Sequence, residues 1–110
     1  TPSRTYTEQI KSYIHYHYFE INSLEMIAEH LSLNKIYMER LFKQETGISV
    51  WNYLNDVRME RAAYYLTNLN YPVGDIDELV GIHSRQNFYL LFKKKYGISP
   101  SQYRKKAAGK

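Results

Sequence analysis

Charged and branched apolar side chains recur at helical spacing along one predicted helix near Arg40. The Arg40 guanidinium can donate two hydrogen bonds to guanine, the Glu39 carboxylate can accept one from cytosine, and Ile36 can touch a thymine methyl group. At about 100° per residue, these side chains share one face with Lys43. The opposite face is apolar and consists of Tyr37, Met38, Leu41 and Phe42. This pattern is typical of a helix that could enter the major groove of a duplex.

A second stretch near Gln86 has the same division of faces. The Gln86 amide suits adenine, Arg85 suits guanine or a phosphate, and Tyr89 can make either kind of contact. The outward face also holds Leu90 and Lys93, and the inward face holds Phe88, Leu91 and Phe92. Either helix taken alone is more simply explained as the solvated face of an amphipathic helix. The recurrence of the pattern favours base recognition.

Basic and hydroxyl side chains accompany both stretches and could bind phosphate oxygens. Such contacts would add affinity without sequence preference. Ordinary solubility is an equally good explanation for each lysine taken alone. The residues that we assign to phosphate contacts are Lys35, Lys43, Ser84, Lys93, Lys94 and Arg104.

The composition indicates one small folded chain with a basic second half. The chain has 110 residues, 44% of them apolar, and a formal net charge of +4. Residues 1–60 carry 6 Lys or Arg and 8 Asp or Glu, whereas residues 61–110 carry 9 and 3. Such asymmetry suits a polyanionic partner, although a solvated surface with a basic tail would give the same numbers. The apolar runs are too short for a membrane span, so we expect no membrane partner.

Other chemistry finds little support. The chain has no cysteine, which excludes disulfides and cysteine nucleophiles and fits a reducing cytoplasm, and no secretory leader is evident. The four histidines are not spaced as metal ligands, and no phosphate-binding loop or nucleophile motif is present. We therefore expect no metal, no cofactor and no enzymatic activity. The 12 tyrosines are expected in the core rather than as base-stacking platforms.

The helices that would carry these residues come in duplicate. Residues 41–53 read LFKQETGISVWNY and residues 91–103 read LFKKKYGISPSQY, a constant shift of 50 positions. A short amphipathic segment precedes each copy, at 24–31 and at 75–80. The shift before each turn is 49 (Leu31 to Val80), which makes the second turn one residue longer. The order helix, turn, helix, given twice, predicts two helix-turn-helix units.

Local signals predict about seven helices and an all-α fold. Thr5 and Glu8 resemble a capping box ahead of the first helix, which we expect to brace the others. Asn22 or Ser23 would cap the second helix, Ser49 the fourth, and Gly47 would end the third. The predicted helices cover 7–19, 24–31, a stretch from Asn34 to Gly47, 50–68, 73–80, 85–96, and a last helix from Ser99 or Pro100. The predicted domain, 1–110, divides into a first helix-turn-helix lobe (7–49), a linker helix (50–68) about 28 Å long and a second helix-turn-helix lobe (72–106).

Four stretches resemble the C-terminal DNA-binding domain of the AraC/XylS transcription regulators. They are SLEMIAEHLSLNKIYMERLFKQETGIS, YLNDVRMERAAYYL, VGDIDELVG and FKKKYGISPSQYR, and the match covers Ile10 to Arg104. The resemblance implies seven helices in two helix-turn-helix subdomains joined by a long helix. It also implies binding to bacterial promoter DNA through recognition helices in successive major-groove segments, activation of transcription, contact with RNA polymerase, and fusion to an N-terminal sensor or receiver domain.

The resemblance also assigns the base-reading positions. They fall on Ile36, Glu39, Arg40, Arg85, Gln86, Tyr89 and Leu90. Four residues depart from the family pattern: Leu90 replaces a usual arginine, Asp77 a small residue, Ile82 an aromatic residue and Asn87 a tyrosine. These departures predict that the second lobe mainly binds phosphates and that specificity lies in the first. Asp77 would weaken the packing locally.

A helical protein-interaction module remains the alternative function. The modest net charge, the aromatic-rich helices and the acidic first half all favour it. The methyl-transfer repair activity of some AraC/XylS relatives requires cysteines that this sequence lacks.

Overall fold

Seven helices make up the backbone of residues 2–109, the part of the chain that the computed structural model describes; side chains are described for residues 5–109. The predicted all-α class is therefore confirmed, with two helix-turn-helix pairs and one long helix between them. The helices are α1 (Pro2–His17), α2 (Leu24–His30), α3 (Lys35–Thr46), α4 (Val50–Asn68), α5 (Val73–Leu79), α6 (Arg85–Tyr96) and α7 (Pro100–Ala108).

The chain divides into two compact units between Val57 and Arg58, a boundary that falls inside α4. The long helix thus contributes its first residues to one unit and its remainder to the other. Its buried residues reflect this division, with Leu54 in the first unit and Ala62 in the second, both fully buried. Trp51, in the first turn of this helix, is exposed.

The first unit is built around α1, α2 and α3. Its core contains the fully buried side chains Ile10, Ile14, Ile27, Met38 and Phe42. The buried Thr7 hydroxyl of α1 also donates a hydrogen bond to the Glu45 carboxylate of α3. The expectation that the first helix braces α3 is therefore confirmed, and the brace fixes the side of α3 that turns away from the core.

The second unit is built around two phenylalanines of α6. Phe88 and Phe92 are fully buried, as are Ile76 and Val80. The Phe92 ring meets the Tyr103 ring of α7 edge to face, with centroids 5.3 Å apart. Such an aromatic pair stabilises the fold by about 0.5–1.5 kcal/mol beyond the contribution of the apolar surface that it buries. The contact therefore helps α7 to fix the position of α6.

The two turns differ in length as the sequence predicts. Four residues, 31–34, separate α2 from α3, and five residues, 80–84, separate α5 from α6. Each turn needs one residue in the left-handed region, supplied by Ser32 (φ 55°) in the first and by Gly81 (φ 89°) in the second. Glycine adopts this conformation at little cost, whereas serine is strained there.

Short-range caps set the ends of the helices that matter for the site. The Asn34 side chain accepts a hydrogen bond from the Tyr37 amide, and the Ser84 hydroxyl accepts one from the Asn87 amide. Gly47 and Gly97 end α3 and α6 in the left-handed conformation, with φ of 84° and 82°. These caps hold the start and the end of each recognition helix at matching positions in the two repeats.

The first helix is where the local interpretation was wrong. It begins at Pro2 and ends at His17, so Thr5 lies inside it and forms no capping box with Glu8. Ser23 is the N-cap of α2, but its side chain makes no capping hydrogen bond. The expected placement of the tyrosines in the core holds only in part: Tyr18 is buried, six tyrosines are half-buried and five are exposed. The phenolic hydroxyl favours positions where one end of the ring stays in water.

Two charged residues are buried in the second unit. Asp77 is 6% exposed, and its carboxylate accepts a hydrogen bond from the Glu78 amide at 2.9 Å. Arg58 is 4% exposed, and desolvation lowers the pKa of its guanidinium, because burial disfavours the charged form. The local weakening of packing that we expect from Asp77 stays a prediction.

Candidate nucleic-acid interface

The outward face of α3 presents the predicted base-reading residues to solvent. Ile36 is 70% exposed, Arg40 is exposed and Glu39 is half-buried. The opposite face of the helix is anchored by the buried side chains Met38, Leu41 and Phe42. Tyr37, assigned to the inward face, is 39% exposed and borders both faces.

A shallow groove of about 650 Å³ runs along this face of α3. It brings together three predicted base-reading residues and one predicted phosphate residue, and it adds two residues that sequence reasoning missed. Its lining consists of Ile36, Glu39, Arg40, Lys43, Gln44 and Ser49. Gln44 could have been found from its spacing, since it lies four residues after Arg40 on the same face.

Charge on this face is partly paired. The Lys35 ammonium lies 3.5 Å from the Glu39 carboxylate, and the side chains of both are 40% exposed. Exposed pairs one helical turn apart contribute little to stability. The Arg40 guanidinium makes no hydrogen bond or ion pair with any residue whose side chain is described. Among the described residues it is thus a free cation of the groove, as is Lys43.

The outward face of α6 is exposed in the same way but differs in chemistry. Gln86 is exposed, Leu90 is 65% exposed and Tyr89 is 37% exposed. On the opposite face of the helix, Phe88 and Phe92 are buried and pack in the core of the second unit. Leu90 is thus an aliphatic side chain in water at the centre of the face that we expect to read bases.

Arg85 lies at the start of α6 and is exposed, but its guanidinium is engaged. Its Nη2 donates a hydrogen bond to the Gly74 carbonyl at 3.0 Å. A Cβ atom at Gly74 would approach that same nitrogen to 3.1 Å, so the absence of a side chain there leaves room for the arginine. This contact joins residues 11 positions apart, and no local sequence pattern indicates it.

The phosphate candidates of α6 are suitably placed. Ser84, Lys93 and Lys94 are exposed. The Ser84 oxygen accepts the capping hydrogen bond from Asn87, yet its own hydroxyl proton remains able to donate to an anion. Lys95, by contrast, lies 3.9 Å from the Glu60 carboxylate.

Arg104 has a different environment from the one that the sequence suggests. Its Nε donates to the Leu66 carbonyl at 3.0 Å, and its Nη2 donates to the Tyr71 carbonyl at 2.5 Å. The guanidinium thereby ties α7 to the C-terminal end of α4 and to the loop that follows it. These backbone acceptors engage the Nε proton and one Nη2 proton, so we propose a structural role for Arg104 in place of the predicted phosphate contact.

Neither a membrane-spanning helix nor a metal site is found among the described residues. None of the helices within residues 2–109 is both long and apolar enough to cross a bilayer. The same residues contain no group of three or more His, Cys, Asp or Glu side chains that could hold a metal ion.

The fold and this pair of exposed faces define a helix-turn-helix DNA-binding domain of the kind found in transcriptional regulators. Residues 27–106 match a family model described as a helix-turn-helix domain. The chain therefore belongs to the AraC/XylS-type helix-turn-helix family.

Individual relatives agree with this assignment. The Msm operon regulatory protein of Streptococcus mutans is 33% identical over 103 residues, which cover 94% of this chain and 37% of that protein. The bifunctional transcriptional activator/DNA repair enzyme AdaA of Bacillus subtilis is 35% identical over 103 residues, covering 94% of this chain and 49% of that protein. The chain thus spans less than half the length of these curated relatives.

A solved structure shows the same architecture. The C-terminal domain of AraT, a response regulator from Geobacillus stearothermophilus, superposes with a TM-score of 0.85 at 37% identity. The superposition covers 92% of this chain and 84% of that chain.

Proposed function

We propose that this domain binds bacterial promoter DNA in the cytoplasm, with α3 and α6 in successive segments of the major groove, and that it acts by binding rather than as an enzyme. The observation that carries the proposal is the exposed polar face on the second helix of each helix-turn-helix. Because one chain carries both helices, the expected site is asymmetric. Its two half-elements lie about one helical turn, roughly 34 Å, apart.

We assign a separate role to each set of exposed side chains. Ile36, Glu39, Arg40, Gln86, Tyr89 and Leu90 contact bases, with Arg85 at the edge of this set. Lys43, Ser84, Lys93 and Lys94 contact phosphates, and Lys35 joins them once its pair with Glu39 opens. Base contacts supply the specificity, whereas phosphate contacts supply affinity and orientation.

The larger protein is proposed to be a transcriptional activator. In it, a sensor or receiver domain N-terminal to this domain would control DNA binding, and the bound domain would contact RNA polymerase. The support comes from the relatives: one is named a transcriptional activator and another is the C-terminal domain of a response regulator. Both are bacterial.

A salt titration on duplex DNA tests the proposal. The five proposed phosphate contacts should give a log-log slope of affinity against salt of about −4 to −5. A helical protein-interaction module would show little dependence of this kind. Selection from a randomised duplex library with the same chain should return one asymmetric site. A flat salt response together with no enriched sequence would contradict the proposed function.

A further inference from the structure

The two recognition faces differ at matching positions. The sixth residue of α3 is Arg40, whereas the sixth residue of α6 is Leu90. A guanidinium is the commonest group that recognises guanine, and an aliphatic side chain cannot donate to guanine at all. The two helices therefore cannot read the same base at this position.

The first turns of α6 carry no free cation that could take the place of the arginine found at the matching position of α3. Arg85 is the one formal charge among residues 85–90, and its guanidinium is held by the Gly74 carbonyl at 3.0 Å. The remaining outward side chains are neutral: Gln86, Tyr89 and Leu90. Their chemistry is one amide, one phenol hydroxyl and one exposed aliphatic group.

We propose that α6 reads an A·T-rich half-element, in which Leu90 packs against a thymine methyl group and Gln86 pairs with an adenine. The inference rests on the proposed function and names the DNA sequence class for its second half. A glutamine amide matches the two hydrogen-bonding atoms of adenine in the major groove, and the thymine methyl is the apolar group exposed there. Covering it with a leucine that is 65% exposed removes apolar surface from water on both partners.

The spacing of the two side chains sets the spacing of the bases. Gln86 and Leu90 are four residues apart on one face, which is a rise of about 6 Å along the helix. Stacked base pairs are about 3.4 Å apart. The adenine and the thymine should therefore lie about two base-pair steps apart.

The face of α3 gives the contrast. Ile36 is 70% exposed and suits a thymine methyl, but Arg40 adds recognition of guanine. The first half-element should therefore contain a guanine that the second lacks. This assignment differs from the expectation that α6 mainly binds phosphates, because Leu90 gives it a base contact that requires no charge.

The test is a uridine scan of the selected site. Selection with the wild-type chain gives the site, and selection with Arg40→Ala identifies the α3 half-element as the one that loses its preference. In the other half-element, each thymine is replaced in turn by deoxyuridine, which removes only the methyl group. One replacement should weaken wild-type binding about fourfold, the value expected for one buried methyl group.

Three variants make the scan specific. Leu90→Ala should bind the thymine and uridine duplexes equally. Leu69→Ala is the matched control, since Leu69 is an exposed leucine in the loop after α4, and it should keep the fourfold difference. Leu90→Arg should shift the preference at that base pair towards guanine.

The outcomes separate this inference from the proposed function. An enriched site whose second half-element is insensitive to uridine would overturn the inference alone. An unchanged uridine effect in Leu90→Ala would also overturn it. Binding without any enriched sequence would overturn the proposed function and this inference together.

Discussion

Arg40 and Lys93 are both exposed cations on recognition helices, yet they should act on different parts of the duplex. Arg40 lies in the groove beside Ile36 and Glu39, where its planar guanidinium can match guanine. Lys93 lies one helical turn further along α6 than Tyr89, among other lysines, where a point charge suits a phosphate.

Substitution of the two residues should separate these roles. Arg40→Ala should cost about 1–3 kcal/mol on the preferred site and blur its base preference, because a bidentate contact is lost. Lys93→Ala should weaken binding to all sequences alike and reduce the salt slope by about one. Both variants can be measured on a randomised duplex library. Indistinguishable behaviour of the two variants would mean that this division of roles is wrong.

Arg104 provides a prediction about stability instead. Arg104→Ala should lower the free energy of unfolding by about 2 kcal/mol, since it removes charged donors from the Leu66 and Tyr71 carbonyls. Lys105→Ala, at an exposed neighbouring position, is the matched control and should change it by less than about 0.5 kcal/mol. Urea unfolding measures both. Unchanged stability with a reduced salt slope would return Arg104 to the phosphate contacts.

Arg85 and Arg104, whose environments the sequence did not predict, both donate hydrogen bonds to backbone carbonyls that are distant in the sequence. The partners of Arg85 and Arg104 lie 11, 33 and 38 positions away in the sequence. Periodicity assigns a side chain to a face of its own helix, and it did so correctly for Gln86 and Leu90. It carries no information on which distant carbonyl a flexible guanidinium will reach.

At the scale of the helices, capping and helix-breaking residues decide how well the helix boundaries can be predicted. The predicted ranges 50–68 and 85–96 match α4 and α6 residue for residue. Capping serines, Ser49 and Ser84, mark their starts, Gly97 ends α6, and Pro72 follows shortly after α4. The predicted start of α1, at residue 7, was wrong because the capping pattern formed by Thr5 and Glu8 lies inside the helix. A spacing of three residues fits both situations.

The caps themselves should differ in strength. Ser84→Ala should destabilise the chain by about 1 kcal/mol, since the hydrogen bond from the Asn87 amide is lost. Ser23→Ala is the matched control, because the Ser23 side chain makes no capping hydrogen bond, and it should cost less than about half as much. Thermal unfolding of the two variants provides the comparison. Equal losses would show that the capping bond is not the source of the effect.

At the scale of the whole molecule, charge is divided unequally between the two units. Residues 1–57 carry 5 Lys or Arg against 7 Asp or Glu, a formal charge of −2. Residues 58–110 carry 10 against 4, a formal charge of +6. The attraction to a polyanion should therefore come mainly from the second unit.

Paired substitutions test this distribution. Lys93→Ala with Lys94→Ala should reduce the salt slope on a non-specific duplex by about two. Lys35→Ala with Lys43→Ala should reduce it by only about one, because Lys35 already has Glu39 as a neighbour at 3.5 Å. Fluorescence anisotropy between about 50 and 200 mM salt measures these slopes. A larger effect of the α3 pair would contradict the assignment.

The exposed aliphatic side chain of Leu90 has a consequence for modified DNA. A leucine detects a methyl group by shape and cannot distinguish thymine from 5-methylcytosine, which carries the same group at the same ring position. Enzymatic methylation of one cytosine could therefore turn a mismatched sequence into an acceptable one. The set of genomic positions open to this domain would then depend on the epigenetic state of the chromosome as well as on its sequence.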